Sequence, residues 1–347
     1  MYTLITGGAG YIGSHIAKLL YNTNINDNIS TNLIVVDNLC SGHINNCKYG
    51  IFINVDITNA TNLANEVFDK YKISNIIHVA GKAFINESFC KIDEYYNVNV
   101  IGTINILNMM IKYNVSNIIF SSSCSVYGNV SILPITENTL INPISPYGMT
   151  KKICEDIIIN YSNTKKLNYV ILRYFNVAGN DFKCDVYDNE NNLKRIIPTI
   201  ISKALKNEII EINGNTYSTK DGTCIRNYIH VLDLANAHIK ALEYLNSPNT
   251  NSTNKNTINT NTINKNLICN LGSDINYTII ELISIIEKHI DRKINYIFKP
   301  KVFGDPEIVY CNNDLSKKEL NWDIVYNIDD IIKSYITFLN KVTNNKY

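Results

Sequence analysis

Short apolar runs and stretches of helical periodicity alternate along the first half of the chain. The runs cover residues 2–5, 33–36, 51–55, 73–79, 115–120 and 167–172. Each has the length of a buried strand and is mainly apolar, with no regular alternation of polar and apolar positions. Between them apolar positions recur at helical spacing. Ile12, Ile16, Leu19 and Leu20 follow the first run, and Val98, Ile101, Ile104, Leu107, Met110 and Ile111 lie within a helix predicted over 93–114. Another helix is predicted from Tyr147 to about residue 161. Strands alternating with helices predict an α/β fold with a doubly wound parallel sheet, of the Rossmann kind. Polar or glycine-rich residues follow the strand ends, where such sheets bind ligands.

Beyond Arg173-Tyr174-Phe175-Asn176 the alternation weakens. The pattern divides the chain into a sheet domain over 1–175 and a smaller mixed α/β domain over 176–347. Part of 206–240 is expected to return to the first domain. The second domain holds helical patterns at 196–205 and 278–289 and the stretch 225–234. Residues 246–266 are mostly Asn, Thr, Ser and Lys, a composition that cannot bury a core. They read as a disordered surface insertion, and 341–347 as a fraying end. No internal repeat is visible.

Composition narrows the function classes. With 347 residues, about two domains are expected. The net charge of +1 offers no basic field for nucleic acid, and no run approaches membrane-spanning length. The first strand begins at residue 2, which leaves no room for a leader and points to the cytoplasm. Nine cysteines, none in C-x-x-C spacing, read as free thiols in a reducing compartment. The six histidines have no metal-ligand spacing, and His78 and His230, within apolar runs, read as core residues. No metal is expected.

The chemistry starts where the first run ends. Gly7, Gly10 and Gly13 stand at G-x-x-G-x-x-G spacing between a strand and a helix. That suits a turn cradling a pyrophosphate, with Gly7 for the bend, Gly10 for close approach and Gly13 for helix packing. Helix N-terminal amides then face the phosphates. The second run ends in Asp37, suited to a ribose hydroxyl pair and repulsive to a 2′-phosphate. NAD is therefore favoured over NADP.

Tyr147 and Lys151 form a Y-x-x-x-K at the start of the predicted helix, on one helical face. A nearby ammonium stabilises a phenolate and is expected to lower the tyrosine pKa, making a general base for a sugar hydroxyl. Ser123, at the end of the fifth run, can bond the same hydroxyl. Among 23 tyrosines such spacing also arises by chance, and Tyr161 with Lys165 repeats it at the far end of the helix. Tyr147 is preferred because it begins the helix beside the Ser-rich strand end.

These motifs together resemble the extended short-chain dehydrogenase/reductase family and, within it, the UDP-glucose (UDP-galactose) 4-epimerases. The likeness rests on Gly7-Gly8-Ala9-Gly10-Tyr11-Ile12-Gly13, Asp37-Asn38-Leu39, Ser121-Ser122-Ser123 with Val126-Tyr127-Gly128, and Ser145-Pro146-Tyr147-Gly148 with Lys151. Arg173-Tyr174-Phe175-Asn176, Arg226-Asn227-Tyr228-Ile229-His230-Val231 and Glu319-Leu320-Asn321-Trp322 extend it to about Trp322, with the Asn-rich insertion as an interruption.

The resemblance implies a C4 epimerisation through a 4-keto sugar, with NAD held throughout, Tyr147 moving the 4-hydroxyl proton and Ser123 and Lys151 assisting. It implies a cofactor groove of Gly7, Gly10, Tyr11, Ile12, Gly13, Asp37, Asn38, Asp56, Ile57, Val79, Ala80, Gly81, Lys82, Asn99, Ser123, Tyr147, Lys151, Tyr174 and Phe175. It implies a UDP-sugar site of Ser123, Tyr147, Asn176, Arg195, Arg226, Asp305 and Val309, and a homodimer through the two long helices. Val302 stands where the family has an arginine, so Arg195 and Lys301 are alternative replacements for that charge. Asn227 replaces the usual Asp. Cys124-Ser125 after Ser123 lack the acid and base of a 4,6-dehydratase. A small Val309 hints at UDP-GlcNAc or UDP-GalNAc, and UDP-uronates are another alternative. An NAD-sensing scaffold is the non-enzyme alternative.

Overall fold

The computed structural model describes residues 1–26, 32–188, 195–248, 265–301 and 306–344. The six apolar runs form β1 (Tyr2–Thr6), β2 (Leu33–Asp37), β3 (Ile51–Asn54), β4 (Ile73–His78), β5 (Asn117–Ser123) and β6 (Asn168–Tyr174). The second half adds β7 (Asn176–Ala178), β8 (Ile210–Asn213), β9 (Ile225–His230), β10 (Asn266–Leu271), β11 (Asn276–Thr278), β12 (Tyr296–Lys299) and β13 (Ile308–Val309). Among the described residues, seven strands make one sheet in the order β10-β6-β5-β4-β1-β2-β3, and all its pairs are parallel. Leu4, Ile5, Ile34, Ile76, Ile77, Ile118 and Ile119 are fully buried, because helices cover both faces.

The helices are α1 (Tyr11–Asn26), α2 (Ala60–Leu63), α3 (Ile85–Cys90), α4 (Ile92–Tyr95), α5 (Gly102–Lys112), α6 (Pro146–Lys165), α7 (Ile196–Leu205), α8 (Val231–Asn246), α9 (Ile279–Ile290), α10 (Asp314–Leu320) and α11 (Ile328–Asn344). One sheet face packs Ile106, Leu107 and Met110 of α5 and Cys154 and Ile158 of α6. The other packs Ile16 and Leu20 of α1, Leu234 and Ala241 of α8, and Trp322. A separate core under α7, α9 and α11 holds Ile201, Ile283, Ile332 and Tyr335. There β11-β9-β13 form a second sheet, which β7 joins through β9.

Two differences from the sequence pattern bear on the site. The helix expected over 93–114 is α4 and α5 joined by a π-helical turn, Tyr96–Ile101. The extra residue in that turn presents Asn99 inward, where its side chain bonds Thr150 and the Lys82 backbone. The seventh strand, β10, comes from 266–271, directly after the Asn-rich stretch. Most of that stretch lies outside the described residues.

His78 shares bonds with Thr6 (2.7 Å) and Thr103 (3.0 Å), a core role as expected. His230 is also buried, its Nδ1 accepting from the Leu232 amide at 3.0 Å. Burial pushes His15 and His238 down to about 4, and His78 and His230 to about 3. All four are neutral when folded and take up protons on unfolding below the ordinary imidazole range. Their contribution is complete above about pH 6.5 and is lost as pH falls toward 4. Asp233, pushed up to about 6 by burial, works in the opposite direction but binds only one proton. Urea unfolding at stepped pH is expected to show stability falling by several kcal/mol between pH 7 and 5. A flat profile would refute the neutral-histidine account.

Candidate active site

The turn after β1 is tight for a physical reason. Gly7 has φ +71°, and a Cβ there would meet Ala80 Cα at 2.7 Å. A Cβ on Gly13 would sit 2.2 Å from the Gly7 carbonyl oxygen. The turn therefore folds against itself and against the end of β4, leaving bare backbone at the α1 N-terminus. No acidic side chain occupies the first turn of α1. The residues present fit a dinucleotide pyrophosphate.

Asp37 closes β2 beside this turn. Its carboxylate accepts from the Ala9 amide (3.0 Å) and the Leu39 amide (2.8 Å). Burial raises its pKa, and those amides pull the other way. Asn38 donates to Asp56 at 2.7 Å on the exposed rim. Val79, Ala80 and Gly81 follow β4, with the Val79 amide on the Thr6 carbonyl at 3.2 Å. Asn99 Oδ1 accepts from the Lys82 amide at 2.8 Å. Thus Gly7, Gly10, Gly13, Asp37, Asn38, Asp56 and residues 79–82 gather at one sheet edge.

Several residues expected in the groove turn their side chains elsewhere. The Tyr11 hydroxyl donates to the Gly179 carbonyl at 2.5 Å, tying α1 to the segment just after β7. Ile57 is buried, and a Cβ on Gly102 would meet it at 2.5 Å. The Lys82 ammonium pairs with Glu94 at 2.6 Å. Tyr174 donates to Ser121 Oγ (2.5 Å) and shares a bond with His238 (2.6 Å). Phe175 packs with Val126, Tyr127, Ile135 and Val309.

The proton-transfer group stands at the same edge. Ser145 caps α6, its Oγ accepting from the Gly148 amide at 3.1 Å, with Pro146 in the first turn. That fixes Tyr147 at the start of the helix, buried. Lys151, one turn on, donates to the Ser121 carbonyl at 2.7 Å. Its ammonium lies 4.9 Å from the Phe120 ring centroid. Ser123 ends β5, caps the following 3-10 turn and donates to Ser125 Oγ at 3.1 Å. Tyr161 lies at the far end of α6 and donates to Asn108 at 2.9 Å, outside this cluster.

The electrostatics correct one expectation. Burial raises the Tyr147 pKa, the Ser123 hydroxyl opposing it. Burial lowers Lys151 to about 8. Desolvation disfavours both charges, so the ammonium alone does not bring the phenol into the working range.

On the opposite wall, Arg226 of β9 donates to the Glu307 carbonyl at 3.2 Å, and its backbone pairs with Val309. Asn176 donates to the Asn227 carbonyl at 3.1 Å. Asn227, fully buried, bridges Ser273 and Asn276, a structural use for the amide. A cavity of about 530 Å³ opens here between Asn129, Tyr217, Lys301, Pro306 and Glu307. Asp305 and Val302 lie outside the described residues. Lys301 is at this cavity, its ammonium 4.2 Å from the Tyr217 ring centroid. Arg195 is not among its lining residues: it is ion-paired with Asp188 and stacked over Tyr11 at 4.3 Å. Sequence spacing singled out neither Tyr217, between β8 and β9, nor Glu307, just before β13.

Residues 3–255 match the profile of the NAD dependent epimerase/dehydratase family. The chain belongs to that family. The UDP-glucose 4-epimerase of Rhizobium meliloti is 35% identical over 332 residues, covering 95% of this chain and 94% of the relative. That of Dictyostelium discoideum is 33% identical over 344 residues, with 95% and 93% covered. A crystal structure of UDP-glucose 4-epimerase from Brucella ovis in complex with NAD superposes with TM-score 0.86 at 36% identity, covering 97% and 98%. One from Bifidobacterium longum with NAD+ and UDP gives 0.86 at 30%, covering 99% of each. In the present chain the glycine turn follows β1 and the Tyr147–Lys151 pair stands beside the end of β5, at the same end of the parallel sheet.

Proposed function

We infer that the protein catalyses the reversible epimerisation of UDP-glucose and UDP-galactose at C4, using tightly held NAD. The observation that carries this is the convergence of Ser123, Tyr147 and Lys151 on the edge that holds the glycine turn, in a chain matching UDP-glucose 4-epimerases along nearly its whole length. NAD, when bound, supplies the hydride acceptor and donor. Asp37 and the backbone of the turn would hold its ribose and pyrophosphate ends, and Lys151 its nicotinamide side. The Tyr147 phenolate would be favoured by the positive charge that bound NAD brings, which would offset the burial described above. Tyr147 Oη then removes the proton of the sugar 4-hydroxyl and later returns it. Ser123 Oγ orients that hydroxyl. Asn176, Arg226 and the cavity beside β13 hold the UDP moiety.

Incubation of purified protein with UDP-galactose, UDP-GalNAc and UDP-glucuronate separately, with products read by NMR, tests the reading. UDP-glucose is expected from UDP-galactose, and its absence overturns the assignment. Val309, a small side chain packed beside Phe175 and Tyr127, favours acceptance of the N-acetylated sugar as a second activity.

The surroundings of the two cations favour Lys301 over Arg195 as the source of the phosphate charge. UDP affinity of Lys301→Ala is expected to fall about tenfold, as for loss of one charge-assisted bond. Arg195→Ala is expected to leave it nearly unchanged. Titration calorimetry with UDP decides, and the reverse order refutes the assignment.

A homodimer is the proposed assembly. Ile85 and Phe89 of α3, Ile92 of α4 and Ile101 of the π-helical turn are 39–47% exposed beside α6. Such a cluster suits a helical subunit contact. Sedimentation equilibrium is expected to give a dimer, and a monomer for Phe89→Glu with Ile101→Glu. Nine free cysteines support a reducing compartment, and the cytoplasm is the proposed location.

A further inference from the structure

Beneath the Tyr147–Lys151 pair lies a buried ion pair that the mechanism above does not use. Glu155 stands one helical turn beyond Lys151 on α6, and its side chain is 2% exposed. Arg173 of β6, 3% exposed, grips it as a fork, Nε to Oε1 at 3.1 Å and Nη2 to Oε2 at 2.7 Å. Ser122 of β5 donates to the same Oε1. The third guanidinium arm donates to the Tyr127 hydroxyl at 2.9 Å, which in turn donates to Asn270 Oδ1 of β10 at 2.7 Å. One carboxylate thus ties α6, β5, β6 and β10 together at the edge where the chemistry is placed. Ser122 is flanked by the two residues whose groups the site needs: Ser121, whose carbonyl holds Lys151, and Ser123.

A structural ion pair of this kind has an alternative. Buried pairs often contribute little net stability compared with apolar residues of the same volume. A bidentate, fully satisfied pair here has a geometric use, since it sets the height of α6 against the ends of β5 and β6. It also has an electrostatic one. The groups facing Lys151 are Cys154 and Glu155 on its own helix, His78 from β4 and the Phe120 ring from β5. His78 is neutral, and burial raises the Cys154 thiol, so it carries no charge near neutrality. Glu155 is then the one anion among them. The groups facing Glu155 are Arg173, Ser122, Lys151, Cys154 and Tyr169.

We propose that Glu155 and Arg173 are positioning residues for the epimerisation: Glu155 keeps Lys151 charged, and the Glu155–Arg173–Ser122 fork fixes Lys151 and Ser123 relative to Tyr147. The proposal rests on the reading of Tyr147 and Lys151 as the proton-transfer pair. A tyrosine base needs an ionised lysine, so activity ends on the alkaline side where Lys151 deprotonates. Removing the Glu155 charge lowers the lysine pKa and draws that limb to lower pH.

The test is the pH profile of kcat/KM with UDP-galactose, on holoenzyme with its NAD content measured. Glu155→Gln is expected to move the alkaline limb down by about 1 pH unit and to lower kcat at least about tenfold, with KM and bound NAD little changed. Glu155→Asp is expected to restore the limb and only part of kcat. Arg173→Lys keeps both charges and removes the fork. It is expected to leave the limb in place and lower kcat, and it isolates the geometric arm should Gln at 155 prevent folding. A folded Glu155→Gln with the parent's limb and kcat overturns the proposal, as does an Arg173→Lys with the parent's kcat. Tyr147→Phe measured alongside separates the two levels. If it is inactive while Glu155→Gln behaves as the parent, the positioning proposal alone fails. If it remains active, the underlying assignment fails.

Discussion

Tyr147→Phe is expected to lower epimerase turnover by about 10²–10⁴-fold, the usual worth of a positioned acid–base group, and to leave NAD bound. The substitution removes one oxygen and keeps the ring. That ring lies edge-on to Tyr95, with centroids 6.4 Å apart, and is 7% exposed, so packing is preserved. The polar neighbour that acts on the phenol is Ser123, which retains its bond to Ser125. The glycine turn and Asp37, on β1 and β2, are untouched. Turnover of UDP-galactose and the NAD released on denaturation are the two measurements. Turnover within tenfold of the parent would remove Tyr147 from the mechanism. Loss of NAD together with activity would mean that the residue is structural.

The second large effect is expected from one methyl group. Gly13→Ala places a Cβ 2.2 Å from the Gly7 carbonyl oxygen and 2.8 Å from Gly8 Cα. Both are backbone, so no side chain can swing aside. The α1 helix must lift from β1, or the turn must open. Either outcome dismantles the phosphate cradle and disturbs the packing of Ile16 and Leu20 on the sheet. A loss of about 4 kcal/mol or more is expected, the range reserved for strain of this sort, with a protein purified free of NAD. Gly10→Ala is the contrast. Its Cβ would meet only the Gly7 carbonyl oxygen, at 3.2 Å, so the fold is expected to survive while cofactor affinity falls. Thermal denaturation and NAD content read both variants. A stable, NAD-loaded Gly13→Ala would refute the close-packing argument.

Much of the fold and of the site is legible in the residues themselves. The parallel sheet follows from runs that are apolar on both faces, and the strand ends from the polar residues after them. Tyr147, Lys151, Ser123 and the glycines are accessible because their spacing is local: one helical turn, or one strand-to-helix bend. What stays hidden depends on distant neighbours. Nothing in Asn266-Leu267-Ile268-Cys269 says that it pairs with Tyr169-Val170-Ile171-Leu172 across the first domain. The π-helical turn at Asn99 has no sequence period of its own. Arg195 and Lys301 are interchangeable as charges, and only their partners, Asp188 and Tyr11 against Tyr217 and Thr216, distinguish them. The phenol's ionisation escapes the sequence because spacing reports the neighbouring ammonium and says nothing of desolvation.

The place of β10 has a practical consequence. A fragment ending near residue 175 would contain every motif expected to contact the dinucleotide yet leave β6 as an unprotected sheet edge, stripped of α8 and Trp322. Bare main-chain donors and acceptors along Tyr169-Val170-Ile171-Leu172 would invite strand addition from other copies. The amino-terminal half is not a portable coenzyme module, and attempts to excise it should yield inclusion bodies where the full chain yields soluble enzyme.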